Sequence, residues 1–279
     1  MTRVVVAAVV GCVTARLVWV AIRPLFDAPA LARANWRGQA VPTAAGVVLP
    51  LVLVLVEGGR AVGAAAASDP DSLTLARLLV VAAVAGFALL GALDDLVGSE
   101  QVQGFRAHLE ALAAGRPTTG FVKLVGGAAL AVVVVAPFAR PSLGRLLADA
   151  ALVALCANLA NLFDRAPGRL LKVSTVAFVA IVVAAGERVE LEGTALVVGA
   201  ALGLFVDDLR ERLMLGDTGA NALGAALGLG LVAAATPTTR TVALAVVAAL
   251  NVAGELVSFS RVIDAVPALR ALDRAGRRP

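Results

Sequence analysis

Long apolar runs, separated by short charged stretches, recur along the whole of this 279-residue chain. They occupy roughly residues 4–22, 43–56, 76–93, 121–138, 146–163, 171–185, 194–206, 219–235 and 240–257. A helix crossing lipid needs about 20 mostly apolar residues, and in lipid its backbone polar groups must be satisfied within the segment. The expected fold is therefore all-α: a polytopic membrane helical bundle of about nine transmembrane helices. The runs at 43–56 and 194–206 are short for full spans. Composition agrees, with 60% hydrophobic residues, 16% charged and a mean hydropathy of +0.91. A soluble domain carries about 45–50% apolar and about 25% charged residues. The 27 glycines suit close helix–helix contact in lipid. Residues 1–279 read as a single integral membrane domain, with 258–279 as a basic tail and 61–67 as a small-residue loop. The first run is too long for a signal peptide and lacks a small-residue cleavage site, so it reads as a retained span.

Lys and Arg set the orientation. Sixteen follow the first, third, fifth, seventh and last runs, and seven lie on the other side, with Arg16 inside the first run. The richer side should be cytoplasmic, placing the N-terminus outside and the C-terminus inside. The protein would then be a multi-pass protein of the inner (plasma) membrane. The formal charge of +4 and pI near 10 reflect these membrane-edge arginines, which favour anionic lipid and no nucleic acid. Cys12 and Cys156 both lie inside apolar runs, without a spacing for a disulfide or zinc site.

The orientation brings three polar clusters to one face. Asp94 and Asp95 end the third run, and Asn158, Asn161 and Asp164 end the fifth. Residues 207–221 hold Asp207, Asp208, Asp217 and Asn221 between two further runs. Carboxylates at the edge of a span are costly and by default mark function. Each cluster also has a plainer reading. Two acids at a helix C-terminus oppose its dipole unless a cation or proton compensates; otherwise the pair begins a solvated loop. Neighbouring residues point about 100° apart, so one acid can face the bundle and the other the lipid headgroups. Asn158, Asn161 and Asp164 share one broad helix face, suited to helix–helix hydrogen bonds or to a polar head group. Arg165, Arg169 and Lys172 can hold phosphate or simply mark the cytoplasmic side. Asp217 suits a helix N-cap, or a magnesium ligand beside substrate phosphates, with Asn221 one turn later on the same face. His108, the single histidine, reads as a surface loop residue.

The ordered set resembles the polyprenyl-phosphate N-acetylhexosamine-1-phosphate transferase superfamily, which includes the lipid I-forming translocase. Asn35-Trp36-Arg37-Gly38-Gln39-Ala40-Val41-Pro42-Thr43 is similar to its first cytoplasmic loop, and Gly91-Ala92-Leu93-Asp94-Asp95 to its paired aspartates. Asn158-x-x-Asn161-x-x-Asp164 and Met214-Leu215-Gly216-Asp217-Thr218-Gly219 resemble its third and fourth elements, and Lys123 stands where the family has a lysine. The resemblance implies magnesium-dependent transfer (manganese as an alternative ion) of a sugar-1-phosphate from a UDP-N-acetyl sugar to polyprenyl phosphate. UMP is released, for cell-wall or surface glycan synthesis. It assigns Asp217 to the metal, Asp94 and Asp95 to the lipid phosphate with one as base, and Asp164 to support of the site. Lys123 would contact phosphate; Asn158, Asn161, Asn221 and Arg169 are further substrate-binding candidates. Arg165-Ala166-Pro167-Gly168-Arg169 stands where the family continues into Gly and a second acidic segment. The family's late histidine-rich loop has no counterpart.

Two other classes compete. A non-catalytic scaffold or partner keeping the fold predicts no magnesium-dependent nucleotide binding. A transporter would place its acids at midplane and show an inverted repeat, and neither is visible. Walker, dinucleotide and nucleophile-elbow motifs are missing. A Gly- and Ala-rich span can mediate a homodimer or pack internally.

Overall fold

The computed structural model describes residues 2–67, 74–98, 118–138 and 142–278. Eleven α-helices lie among the described residues. In chain order the first nine are α1 (Thr2–Ile22), α2 (Val48–Ala67), α3 (Leu75–Val97), α4 (Thr119–Val135), α5 (Leu143–Phe163), α6 (Arg169–Ala185), α7 (Glu192–Leu209), α8 (Gly216–Ala234) and α9 (Pro237–Leu256). Two short helices close the chain, α10 (Phe259–Ala265) and α11 (Pro267–Arg274). A small antiparallel hairpin, β1 (Ala32–Ala34) and β2 (Ala40–Pro42), pairs Arg33 with Val41.

Seven helices are long and apolar enough to cross a membrane, so the chain is a helical bundle of multi-pass membrane type. All nine expected runs are helical, but α6 and α8 are not among the seven. The short runs are longer than expected: α2 has 20 residues and α7 has 18. Residues 61–67, expected as a loop, are the last turns of α2. The sequence reading ended that span at Val56, before Glu57. The structure buries Glu57 against Arg77 of α3, so the charge is paired and the helix continues through it.

Helix α8 is the axis of the bundle. Its sequence is Gly- and Ala-rich, and 15 of its 19 residues are buried. Helices α3 and α5 pack along it, while α1 runs along α7. Helix α9 lies almost wholly at the surface. With α8 central, whatever its N-terminus carries is surrounded by the ends of α3, α4 and α5. That is where the acids lie.

Candidate active site at one end of the bundle

Gly91 lets α3 come close to α8. A Cβ there would stand 2.2 Å from the Asp217 carbonyl oxygen. The approach puts the last turn of α3 against the first turn of α8. Asp95 Oδ1 accepts from the Asp217 backbone N–H at 3.0 Å; Oδ2 accepts from the Thr218 N–H at 2.9 Å and its hydroxyl at 2.6 Å. Asp95 thus satisfies donors that α8 leaves open at its N-terminus. Gly216 completes the fit, at φ +68° with no room for a Cβ beside the Asp95 carboxylate.

This division corrects two expectations. Asp217 is not the N-cap: Leu215 holds that position without a side-chain bond, and the capping carboxylate comes from α3. Nor does the second aspartate of the pair turn to the headgroups. Asp94 accepts from the Thr119 hydroxyl at 2.6 Å and from Lys123 Nζ at 2.9 Å, both on α4. Lys123 also donates to Asp217, so one ammonium bridges the α3 and α8 carboxylates. Asn161 Nδ2 of α5 donates to the same Asp217 oxygen at 3.1 Å. Four helices meet on one carboxylate.

The remaining candidates separate. Asn158, one turn from Asn161, donates to Asn251 Oδ1 of α9 at 2.7 Å and serves helix–helix bonding. Arg169 is buried and donates to Asp273 at 2.8 and 2.9 Å and to Ser260 at 2.7 Å, so it holds the tail. Asn221 is buried one turn beyond Asp217, and its Nδ2 has no hydrogen-bond partner among the described residues. Asp164 caps α5 and lines a pocket of about 360 Å³ that reaches Asp217. Burial, then the negative charges of Asp208, Asp217 and Asp95, push the Asp164 carboxyl well above the usual carboxylate range. His108 lies outside the described residues.

Trp36, Arg165, Asp208 and Glu211 also line the pocket. Asp208 accepts from the Gly168 N–H at 2.8 Å and ties the turn after α5 to α7. Its neighbour Asp207 pairs with Arg16 and Arg212 and is structural. Glu211 is a residue the sequence reading passed over. It adopts φ +56°, rare for a side chain of its size. Its carboxylate accepts from Asn35 Nδ2 at 2.8 Å and lies 3.1 Å from Arg37 Nε. The hairpin loop is thereby clamped over the pocket, with Trp36 between the two anchors. Glu211 belonged to the charged stretch noticed in the sequence, but its backbone conformation and partners about 175 residues away left no local signal.

Among the described residues no group of three or more His, Cys, Asp or Glu side chains is poised around a metal. Asp217 lines the open pocket at a helix end with hard oxygen donors, and shares Lys123 with Asp94. That set fits an ion such as magnesium, which takes one or two carboxylates and completes its shell with water and phosphate oxygens. Fold and site together define a polytopic helical membrane protein with a carboxylate-rich centre at one end of the bundle. No family model matches the chain, and no curated protein matches it.

Proposed function

We propose that this chain is a phosphoglycosyl transferase, moving a sugar-1-phosphate from a UDP-N-acetyl sugar to polyprenyl phosphate and releasing UMP. The reading places the site at the cytoplasmic face of the plasma membrane, with nine spans, the N-terminus outside and the C-terminus inside. The observation that carries it is the Lys123 ammonium shared between Asp94 and Asp217, with Asn161 on the same Asp217 oxygen. Three polar segments far apart in sequence converge on one point beside a pocket. Phosphoryl transfer needs such a centre, because positioning and charge neutralisation supply most of the catalysis.

In this reading an oxygen of the acceptor phosphate attacks the sugar-bearing phosphorus, and the bond from that phosphorus to the UMP oxygen breaks. Asp94 takes any proton the acceptor phosphate still carries, being the member of the pair not engaged by α8. Asp95 positions α8 and with it Asp217. Lys123 holds a phosphate oxygen as the charge develops. Magnesium, or manganese in its place, held by Asp217, would neutralise the phosphates. The pocket under Trp36 gives the nucleotide a water-accessible place while the acceptor lipid stays in the bilayer.

The test is UMP release by purified protein with polyprenyl phosphate, magnesium and a panel of UDP-sugars. Release with one donor, lost in Asp217→Asn, supports the transferase. A specific observation favours a second reading, a non-catalytic scaffold: Lys123 already balances both carboxylates without a metal. That reading requires no release and no magnesium-dependent binding of any UDP-sugar by folded protein. Saturable, magnesium-dependent binding sinks it.

A further inference from the structure

We propose that the C-terminal tail, residues 259–278, is a docking surface for the anionic headgroups of the membrane that holds the bundle. The first argument is reach. Helix α9 ends at Leu256 and α10 begins at Phe259, so only three residue steps separate them. Three extended residues cover at most about 11 Å. The headgroup layer on each side of a bilayer is about 5–8 Å thick, so α10 starts within it or against it.

The second argument is how the tail is held. Phe259 stacks on Phe163 at the end of α5, with ring centroids 4.9 Å apart. Asp273 is buried against Arg169 and lies 2.7 Å from Arg277. Lys172 donates to the carbonyls of Leu272, Asp273 and Ala275. The tail's inner side is therefore used up by the protein. Val262, Val266, Leu269 and Leu272 remain exposed, the last 68% so. Exposed Arg261 and Arg270 stand among them.

The third argument is charge. Residues 259–278 hold five arginines against two aspartates. Both aspartates are engaged within the tail or by α6: Asp273 as above, and Asp264 by Arg274 at 3.0 Å. Exposed leucines and valines interleaved with arginines, on short helices joined directly to a span, match the interfacial plane of an anionic bilayer. Each arginine near such a surface adds to the attraction, which salt screens.

The test is hydrogen exchange on the full chain in nanodiscs of phosphatidylcholine alone and of an equimolar mixture with phosphatidylglycerol. Residues 259–274 are expected to exchange roughly tenfold more slowly in the anionic discs, and high salt is expected to remove the gain. The Arg261→Glu/Arg270→Glu variant, which leaves the Asp273 anchor intact, should lose the gain; protection across α5 reports whether it is folded. Equal exchange of the unaltered chain in both discs overturns the proposal without any variant. So does an undiminished gain in the folded double variant. A slowing that salt leaves unchanged overturns it as well. The inference does not depend on the transferase reading, since none of these outcomes involves nucleotide or turnover.

Discussion

The two ends of the bundle both bury carboxylates, and they treat them differently. Away from the pocket, Glu57 is paired with Arg77, Asp149 with Arg145 and Arg240, and Glu192 with Arg60. Each of these acids has an arginine, and arginine's planar fork suits permanent pairing. At the pocket end Asp207 and Glu211 also have arginines, but Asp94 and Asp217 share a single bridging lysine, Lys123. Backbone N–H groups and hydroxyls satisfy Asp95, and a backbone N–H meets Asp208. Asp164, Asp208 and Asp217 line the open pocket, with Arg165 beside them. At the far end each acid is locked to an arginine, whereas Asp94 and Asp217 share one lysine beside an open pocket.

The sharpest way to break that contrast is to remove one charge from each end. Under the transferase reading, Asp217→Asn should lower UMP release by at least about a hundredfold while the protein stays folded in detergent. Asp94→Asn should do the same, and near-normal turnover in both variants would erase the difference between the ends. Arg77→Met should act the other way, removing the buried partner of Glu57 and leaving only the more exposed Arg60 at 3.6 Å. Breaking a buried pair costs about 3–5 kcal/mol, which should appear as a lower melting temperature with unchanged activity per folded molecule.

A smaller effect is expected at the loop clamp. Glu211→Ala removes the anchor of Asn35 and Arg37, and should raise KM for the nucleotide sugar by roughly tenfold with kcat little changed. A fall in kcat at unchanged KM would place Glu211 in the chemistry instead.

The smallest effect concerns the tail and pH. Burial alone would raise the Asp273 carboxyl, but hydrogen bonds and charge from Arg169 and the charge of Arg277 hold it below the usual range. Because the docked pKa is lowered, this carboxylate's stabilisation is fully present above its ordinary value near about 3.9. It is lost as pH falls from there through the lowered value. Limited proteolysis should therefore leave the tail protected at neutral pH and open it in acid, whereas Asp273→Asn should open it at neutral pH.

The sequence by itself determined the helices and the segments that matter. Periods without polar residues, set by the free energy of placing charge in lipid, located every long helix except α2 to within a few residues. The clustering of Asp and Asn at run ends picked out Asp94, Asp95, Asn161, Asp164 and Asp217, which the structure brings to one end of the bundle. Where the reading failed, it failed on pairing. Residues 61–67 are helical, and α2 runs past Glu57, which pairs with Arg77, 20 positions on. Asn158 and Asn161 share a helix face, yet one meets α9 and the other Asp217. Arg169, a plausible phosphate ligand by its neighbours, is held by Asp273, 104 positions away.

Only the tertiary structure decided which acid caps a helix and which faces the pocket. To a reader of the chain Asp95 closes one apolar run and Asp217 opens another, and Asp217 reads as the cap of its own helix. The packing of α3 on α8 through Gly91 puts Asp95 under the backbone N–H groups of α8, and that relieves Asp217 of the cap. Hydropathy and helical period act within a segment, whereas the partner of a polar side chain lies on another helix, chosen by how the two backbones approach.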